Sequence, residues 1–261
     1  MPSVIPTQII ESLNLADASW RPILLRGLQA MHAADPAYLT ALAEDEFLPT
    51  QNRLFAAFSQ TLDRVRYVLV GEGPYPRAES ATGVCFMDGA VGSLWSEAGL
   101  SKQVNRATSL RNFMKMLLVA DGRLQIGQTG GAALAPIAQQ ASAAGSDMIA
   151  TLSDLQSNLV DRGFLLLNAA LVFRPHVPPV KEAKAWLPFL QAVLEALAEQ
   201  YEPPTLVLWG KIAEQLKALP GVNRFPHAVS EHPYNLSFIA NESMQRLFGA
   251  MHLLCRSGVP A

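Results

Sequence analysis

The sequence predicts an α/β fold: a single domain over residues 1–261, with a short central parallel β-sheet of about four strands and helices on both faces. Three observations predict it. Short runs of unbroken apolar residues recur at 66–71, 164–167 and 205–209, and continuous apolarity marks strands covered on both faces. Between them lie stretches with apolar residues at three- and four-residue spacing, and strands alternating with helices imply right-handed parallel crossovers. Length and composition agree, because 261 residues, 50% apolar and 16% charged, suffice for one large core and are too apolar for disorder.

In chain order, Trp20 to Glu46 reads as helical, with Leu24, Leu25, Leu28 and Met31 on one face. Asp35-Pro36 opens a second helix there, since proline suits a first turn. Asn52 to Leu62 is a third helical stretch, carrying Leu54, Phe55 and Phe58 together. RYVLVG, residues 66–71, is the first strand, Phe164 to Leu167 the second and Thr205 to Trp209 the third, while a weaker run from Phe225 to Val229 supplies a fourth. Helices are expected over Ser109–Val119, Leu152–Val160, Ala185–Gln200, Ile212–Leu219 and Glu242–Leu254. Two inserts, Met87 to Thr108 and the Ala/Gly-rich Gly130 to Gly145, read as surface excursions within one domain.

A net charge of −2 weighs against a wide basic surface for nucleic acid but leaves room for a local basic patch. Both cysteines, Cys85 and Cys255, sit in apolar runs and read as buried free thiols. The opening MPSVIPTQIIESLN lacks the basic-then-apolar order of a signal peptide, and no apolar run reaches the 18 residues of a membrane span. The expectation is a cytoplasmic protein.

Ligands of open parallel sheets sit at the carboxyl ends of the strands. Three polar turns fall there: Gly71 to Pro76, Asn168 and His232. Gly71 and Gly73 follow a strand, but a dinucleotide fingerprint needs a third glycine where Pro76 stands, and a Walker loop needs a Gly-Lys-Ser/Thr that is absent. A tight proline turn without a ligand remains the alternative for this loop taken alone.

The loop does not stand alone. VLVGEGPYP with a downstream GVCF resembles the water-activating loop of the family 1 uracil-DNA glycosylases, GQDPYH followed by GLCF, with the same eleven-residue step from Glu72 to Gly83. The resemblance covers nearly the whole chain. FLPTQNRLFAAFSQTLDRVRYVLVG is similar to that family's approach to the strand, and ATSLRNFMKML to its PPSLxNIYKEL segment. LLLNAALVFRPH, with Trp186 eighteen residues after Asn168, is similar to LLLNxxLTVRAH with its tryptophan. VLWGKIAEQL matches LLWGxxAxxx, and HPYNLSF resembles HPSPLSV, the segment that enters the minor groove.

The resemblance implies a role for each residue. The turn bearing Gly71 and Gly73 would hold the base against its backbone. Tyr75 would exclude the methyl group of thymine by contact, and Phe86 would stack on the flipped base. Asn168 would read the uracil edge, since one carboxamide offers both a donor and an acceptor. His232 would stabilise the charge that collects on the pyrimidine O2. Leu236 would be the wedge filling the gap in the stack, and Ser109, Lys211 and Ser237 would meet the DNA backbone.

The sequence departs from the pattern at the family's catalytic aspartate, which is Gly73 here, at its following histidine, which is Pro76, at most of the proline loop, replaced by Asn105 to Thr108, and at the Gly-Ser loop, whose serine is Lys211. Glu72, Glu79 and Asp88 are the carboxylates within reach in sequence. GEGP also resembles the GE(A/G)PG motif of the family 4 glycosylases, whose working carboxylate falls about where Glu79 stands, although Tyr75 departs from that motif. The implied function is hydrolysis of the N-glycosidic bond of uracil in single- or double-stranded DNA, by a monomer without metal or cofactor, weakly or through a non-standard carboxylate. The alternatives are a glycosylase fold that binds uracil or DNA without turnover, and a glycosylase for another base.

Overall fold

The computed structural model describes residues 5–256; the first four residues of the opening segment lie outside them. In chain order the helices are α1 (Thr7–Ser12), α2 (Arg21–Ala34), α3 (Tyr38–Ala43), α4 (Lys102–Arg106), α5 (Thr108–Ala120), α6 (Gly131–Ser142), α7 (Leu152–Asp161), α8 (Pro179–Ala198), α9 (Lys211–Lys217) and α10 (Glu242–Gly249). The strands are β1 (Tyr67–Gly71), β2 (Trp95–Ser96), β3 (Gly99–Leu100), β4 (Phe164–Asn168), β5 (Thr205–Trp209) and β6 (His227–Ser230).

The central sheet has the order β4-β1-β5-β6. β1 and β4 are parallel, in register from Tyr67 opposite Phe164 to Gly71 opposite Asn168. Leu206 N donates to Pro226 O and Gly210 N to Ser230 O, a constant offset that makes β5 and β6 parallel as well. Every residue of β4 is buried, as is the centre of β1, which is what continuous apolar runs demand. The four strands and the α/β class are those the sequence predicts.

The chain folds into two compact units. One takes the chain up to Gly89, then Gly163–Val207 and Ile212–His227; the other takes Ala90–Arg162, Leu208–Lys211 and the chain from Ala228 on. In the first, α2 packs on α8, where Gly27 leaves room for the Phe189 ring, and Phe189 also lies 5.8 Å from Phe55, 6.2 Å from Phe58 and 5.2 Å from Trp186. Each such buried side chain contributes roughly 1.5–3 kcal/mol. Phe55 and Phe58 belong to a 3-10 segment, Arg53–Phe58, kinked at Phe55, where a continuous helix from Asn52 to Leu62 is expected. The apolar face survives, because Leu54, Phe55 and Phe58 are all buried, but the left-handed Gln51 and Asn52 that precede it are incompatible with a regular helix start.

The second unit corrects the reading of both inserts. Between Met87 and Thr108 the chain forms the antiparallel β2–β3 hairpin and α4, burying Leu94, Trp95, Leu100 and Val104, with Trp95 Nε1 donating to Ile149 O at 2.8 Å. Gly130 to Gly145 holds α6, whose Leu134, Ile137, Ala138 and Ala141 are buried at i, i+3, i+4 and i+7. Each segment buries one face in the core, and alanine had hidden the stripe of α6. α8 starts at Pro179, six residues before its expected start, with proline in the first turn. α10 stops at Gly249, short of Leu254.

Candidate active site

In the first unit the site grows from the ends of β1 and β4. The parallel ladder runs on past both strands, Ala169 N donating to Gly71 O at 2.8 Å and Ala170 N to Glu72 O at 3.1 Å. This fixes the GEGP turn beside Asn168, which is only 4% exposed. A Cβ on Gly71 would stand 2.9 Å from Asn168 Oδ1 and 3.1 Å from Cys85 Sγ, so only glycine lets the carboxamide and the thiol lie on this backbone. β4 is an edge strand, and its outward carbonyls are taken up by Gln60 Nε2 on Phe164 O (2.7 Å) and Cys85 N on Leu166 O (3.1 Å). The second bond places the GVCF segment two residues from Asn168. Burial pushes the Cys85 thiol up to about 12, so it stays neutral.

Phe86, half-buried, follows with φ 67°. A bulky residue in the left-handed region costs roughly 1–3 kcal/mol and is held only where its surroundings over-determine it. Thr82 Oγ1, 3.2 Å from Val84 N and 3.0 Å from Met87 O, ties the segment on either side. Tyr75 is half-buried, and burial, then the charge of Asp88, drives its hydroxyl well above the usual phenol range. Tyr75, Phe86 and Asn168 therefore occupy one unit, on a loop and two strand ends bound to each other.

The acids divide. Glu72 is exposed at the strand end. Glu79 has a side chain 62% exposed with Arg77 Nε 4.0 Å away, whereas the Asp88 carboxylate is 10% exposed with Arg77 Nη2 at 3.6 Å. Gly73 is exposed, its φ lies outside the left-handed region, and a Cβ there would meet only Ala170 O at 3.6 Å and Ala170 Cβ at 4.0 Å. Its glycine is required neither by the backbone nor by space.

Beyond Asn168 the FRPH stretch is a structural anchor. Arg174 Nε meets Glu182 Oε1 at 2.7 Å and Arg174 Nη1 meets Asp45 Oδ2 at 3.2 Å, with His176 Nε2 also on Asp45 at 3.0 Å. Arg174 and Glu182 are both buried, and Tyr38 donates to the second oxygen of Glu182.

In the second unit the HPYNLSF segment forms a turn, Asn235 N donating to His232 O at 2.9 Å. Tyr234 N donates to His232 Nδ1 at 3.1 Å, so the neutral imidazole carries its proton on Nε2. Gly210 has φ +63°, and a Cβ on it would stand 2.9 Å from His232 Cβ. Leu236 is 69% exposed and opens the 3-10 turn Leu236–Ala240, which Phe238 roots against Trp209, ring centres 5.4 Å apart. Ser237 and Asn241 hydrogen-bond the Glu231 carboxylate and, against the upward push of burial, hold it below the usual range. Lys211 is exposed at the first position of α9, and Ser109 lies in the first turn of α5, where no side chain caps the helix. Asn112, absent from the sequence-derived candidates, is fully buried, and its Nδ2 lies 2.8 Å from Pro233 O, 3.2 Å from Tyr234 O and 3.4 Å from Asn235 O.

The polar turns lie at the ends of strands of a parallel α/β sheet, where proteins of this class hold their ligands. The Uracil DNA glycosylase superfamily matches this sequence over residues 58–251, and the chain belongs to that superfamily. It is 29% identical over 229 residues to a uracil-DNA glycosylase of Corynebacterium glutamicum, covering 87% of this chain and 83% of that one. A uracil-DNA glycosylase of Mycobacterium leprae is 30% identical over 191 residues, 73% of this chain and 68% of the other. The wild-type UNG crystal structure from Nitratifractor salsuginis is 40% identical with a TM-score of 0.86, covering 95% of this chain and 97% of that one. The mimivirus uracil-DNA glycosylase, 15% identical over 89% of this chain and 73% of its own, shares the fold with a TM-score of 0.54. No helix among the described residues is long and apolar enough to cross a membrane.

Proposed function

We propose that the chain is a DNA N-glycosylase that removes uracil from DNA, the first step of base-excision repair. One observation carries the reading: the buried Asn168 carboxamide rests on the Gly71 backbone at the mouth of the loop that bears Tyr75. A buried amide with both a donor and an acceptor is suited to the N3–H and O4 edge of uracil, and leaving either unpaired costs roughly 1–3 kcal/mol. The uracil would be flipped out of the stack, with Phe86 on its face and Tyr75 against C5, where thymine carries a methyl group.

In the reaction the C1′–N1 bond breaks and its electron pair stays on the departing uracil. His232 donates Nε2–H to the O2 on which that charge collects, the tautomer its Tyr234 bond requires. Water adds to C1′ and gives up a proton, the departing uracil anion takes one up, and free uracil and an abasic sugar are left. Glu79, with Glu72 second, is the candidate to orient that water in place of the aspartate that Gly73 replaces. Leu236 would fill the gap in the stack, and Ser109, Lys211 and Ser237 would meet the DNA backbone. Several further readings belong to this proposal: a cytoplasmic monomer, acting without metal or cofactor, with both units working as one glycosylase domain. The interleaving of the two units along the chain supports the last of these.

A second reading has one observation in its favour, the absence of a side chain at Gly73: the protein binds uracil in DNA without turning it over. Uracil release from a single-stranded oligonucleotide tests both. Release of uracil and not thymine supports the enzyme. Tight, uracil-selective binding with no release supports the binder, and neither binding nor release defeats both.

A further inference from the structure

We propose that Tyr234 is a base-stacking residue, a rigidly mounted aromatic platform for a nucleobase flanking the extruded nucleotide. The inference takes from the proposed function only that the partner is DNA. Tyr234 is 67% exposed and stands two residues before Leu236, itself 69% exposed. Both large side chains stand in water on one turn. The turn beneath them is fixed from inside. Pro233 is buried, Asn235 N closes the turn on His232 O, and the fully buried Asn112 directs its amide at the carbonyls of Pro233, Tyr234 and Asn235. The backbone is thus prepaid, and a tyrosine ring with two side-chain torsions loses little entropy on docking.

The ring itself suits a base. Its π face is neutral, and the Glu231 carboxylate three residues before it, held by Asn241 Nδ2 at 2.8 Å, does not oppose a neutral base. Base faces are open in single strands and at the gap left by a flipped nucleotide, so the ring's contribution is largest on single-stranded DNA.

The test compares the wild type with Tyr234→Ala and Tyr234→Phe for equilibrium binding to a uracil-free single-stranded oligonucleotide at three salt concentrations, each protein checked by thermal unfolding. Stacking on an aromatic side chain predicts that the alanine variant binds about 5- to 150-fold more weakly. The factor is the same at every salt concentration, because stacking releases no counterions. The phenylalanine variant stays within about twofold of wild type, and 2-aminopurine beside the bound site is quenched by both ring-bearing proteins but not by the alanine variant. Unchanged affinity of the alanine variant, equal losses in both variants, a shallower salt slope without the ring, or no measurable binding by the wild type would each overturn the proposal. Failure of the glycosylase reading shows separately, as no uracil release by any of the three proteins whatever their order of affinity.

Discussion

Asn168 lays its carboxamide on the backbone of Gly71, so closely that a Cβ on that glycine would stand 2.9 Å from Asn168 Oδ1. The pair follows from the parallel register of β1 and β4, which sets the two residues opposite each other at the strand ends. Gly71→Ala therefore displaces the carboxamide without altering its chemistry, while Asn168→Asp alters the chemistry in place. Both should remove uracil selectivity, the second because an acceptor-only group is left facing the N3 or O4 edge. Competition binding between uracil- and thymine-containing oligonucleotides measures this, and a preference retained by both variants would remove Asn168 from the reading role.

His232 is held in one tautomer by Tyr234 N–H and in one position by the absence of a Cβ on Gly210. His232→Ala should lower single-turnover uracil release by about 10²–10³, the usual cost of losing a donor aimed at developing charge. Affinity for uracil-containing DNA should change far less, because the interaction strengthens in the transition state. Gly210→Ala should move the rate in the same direction through the 2.9 Å clash with His232 Cβ. An alanine variant at His232 with wild-type rate would show that the charge is met elsewhere.

Much of this was legible in the sequence. The buried strands announced themselves as unbroken apolar runs, and their polar ends located Asn168 and the GEGP turn. What stayed hidden was long-range. Asn112 acts on carbonyls more than 120 residues away, and no local spacing encodes such a partner. Its signals were a polar residue flanked by the apolar Leu110, Phe113 and Met114 of a helix, all of them buried, and its place on the asparagine of the PPSLxNIYKEL segment. Cys85 read as a buried free thiol, and Gly210 stood only as part of the VLWGKIAEQL segment; their contacts with Gly71 and His232 are long-range too. The α6 stripe was written at helical spacing but in alanine and single aliphatic residues, too faint against its glycine-rich surroundings.

Cys85 should make stability fall at alkaline pH. Burial raises its folded pKa to about 12, whereas an unfolded thiol ionises near pH 8.5. The contribution is thus fully present below the unfolded value and is lost as pH rises through the folded one, at up to about 1.4 kcal/mol per pH unit. Urea unfolding between pH 7 and 11 should show wild type losing ground to Cys85→Ala above about pH 9. Parallel curves throughout would mean that the thiol is not desolvated.

The last prediction concerns the missing acid. A side chain at Gly73 would meet only Ala170, at 3.6 Å and beyond, and the backbone there is not left-handed, so Gly73→Asp should fold normally. General acid–base assistance is worth about 10²–10⁴-fold. If Glu79 supplies it now, the native protein excises uracil and Glu79→Gln loses most of that rate, although a side chain 62% exposed is a poor start for desolvated chemistry. If nothing supplies it, the native protein is nearly inert and Gly73→Asp gains excision of that order. The exposure of Glu79 and the open space at Gly73 favour a weak native activity that Gly73→Asp increases. Single-turnover release from one uracil-containing oligonucleotide, measured for wild type, Glu79→Gln and Gly73→Asp, separates the cases. A Gly73→Asp protein that folds, binds uracil-containing DNA and gains no rate would show that the loop, and not only its carboxylate, departs from hydrolytic geometry, and the binding reading would then stand.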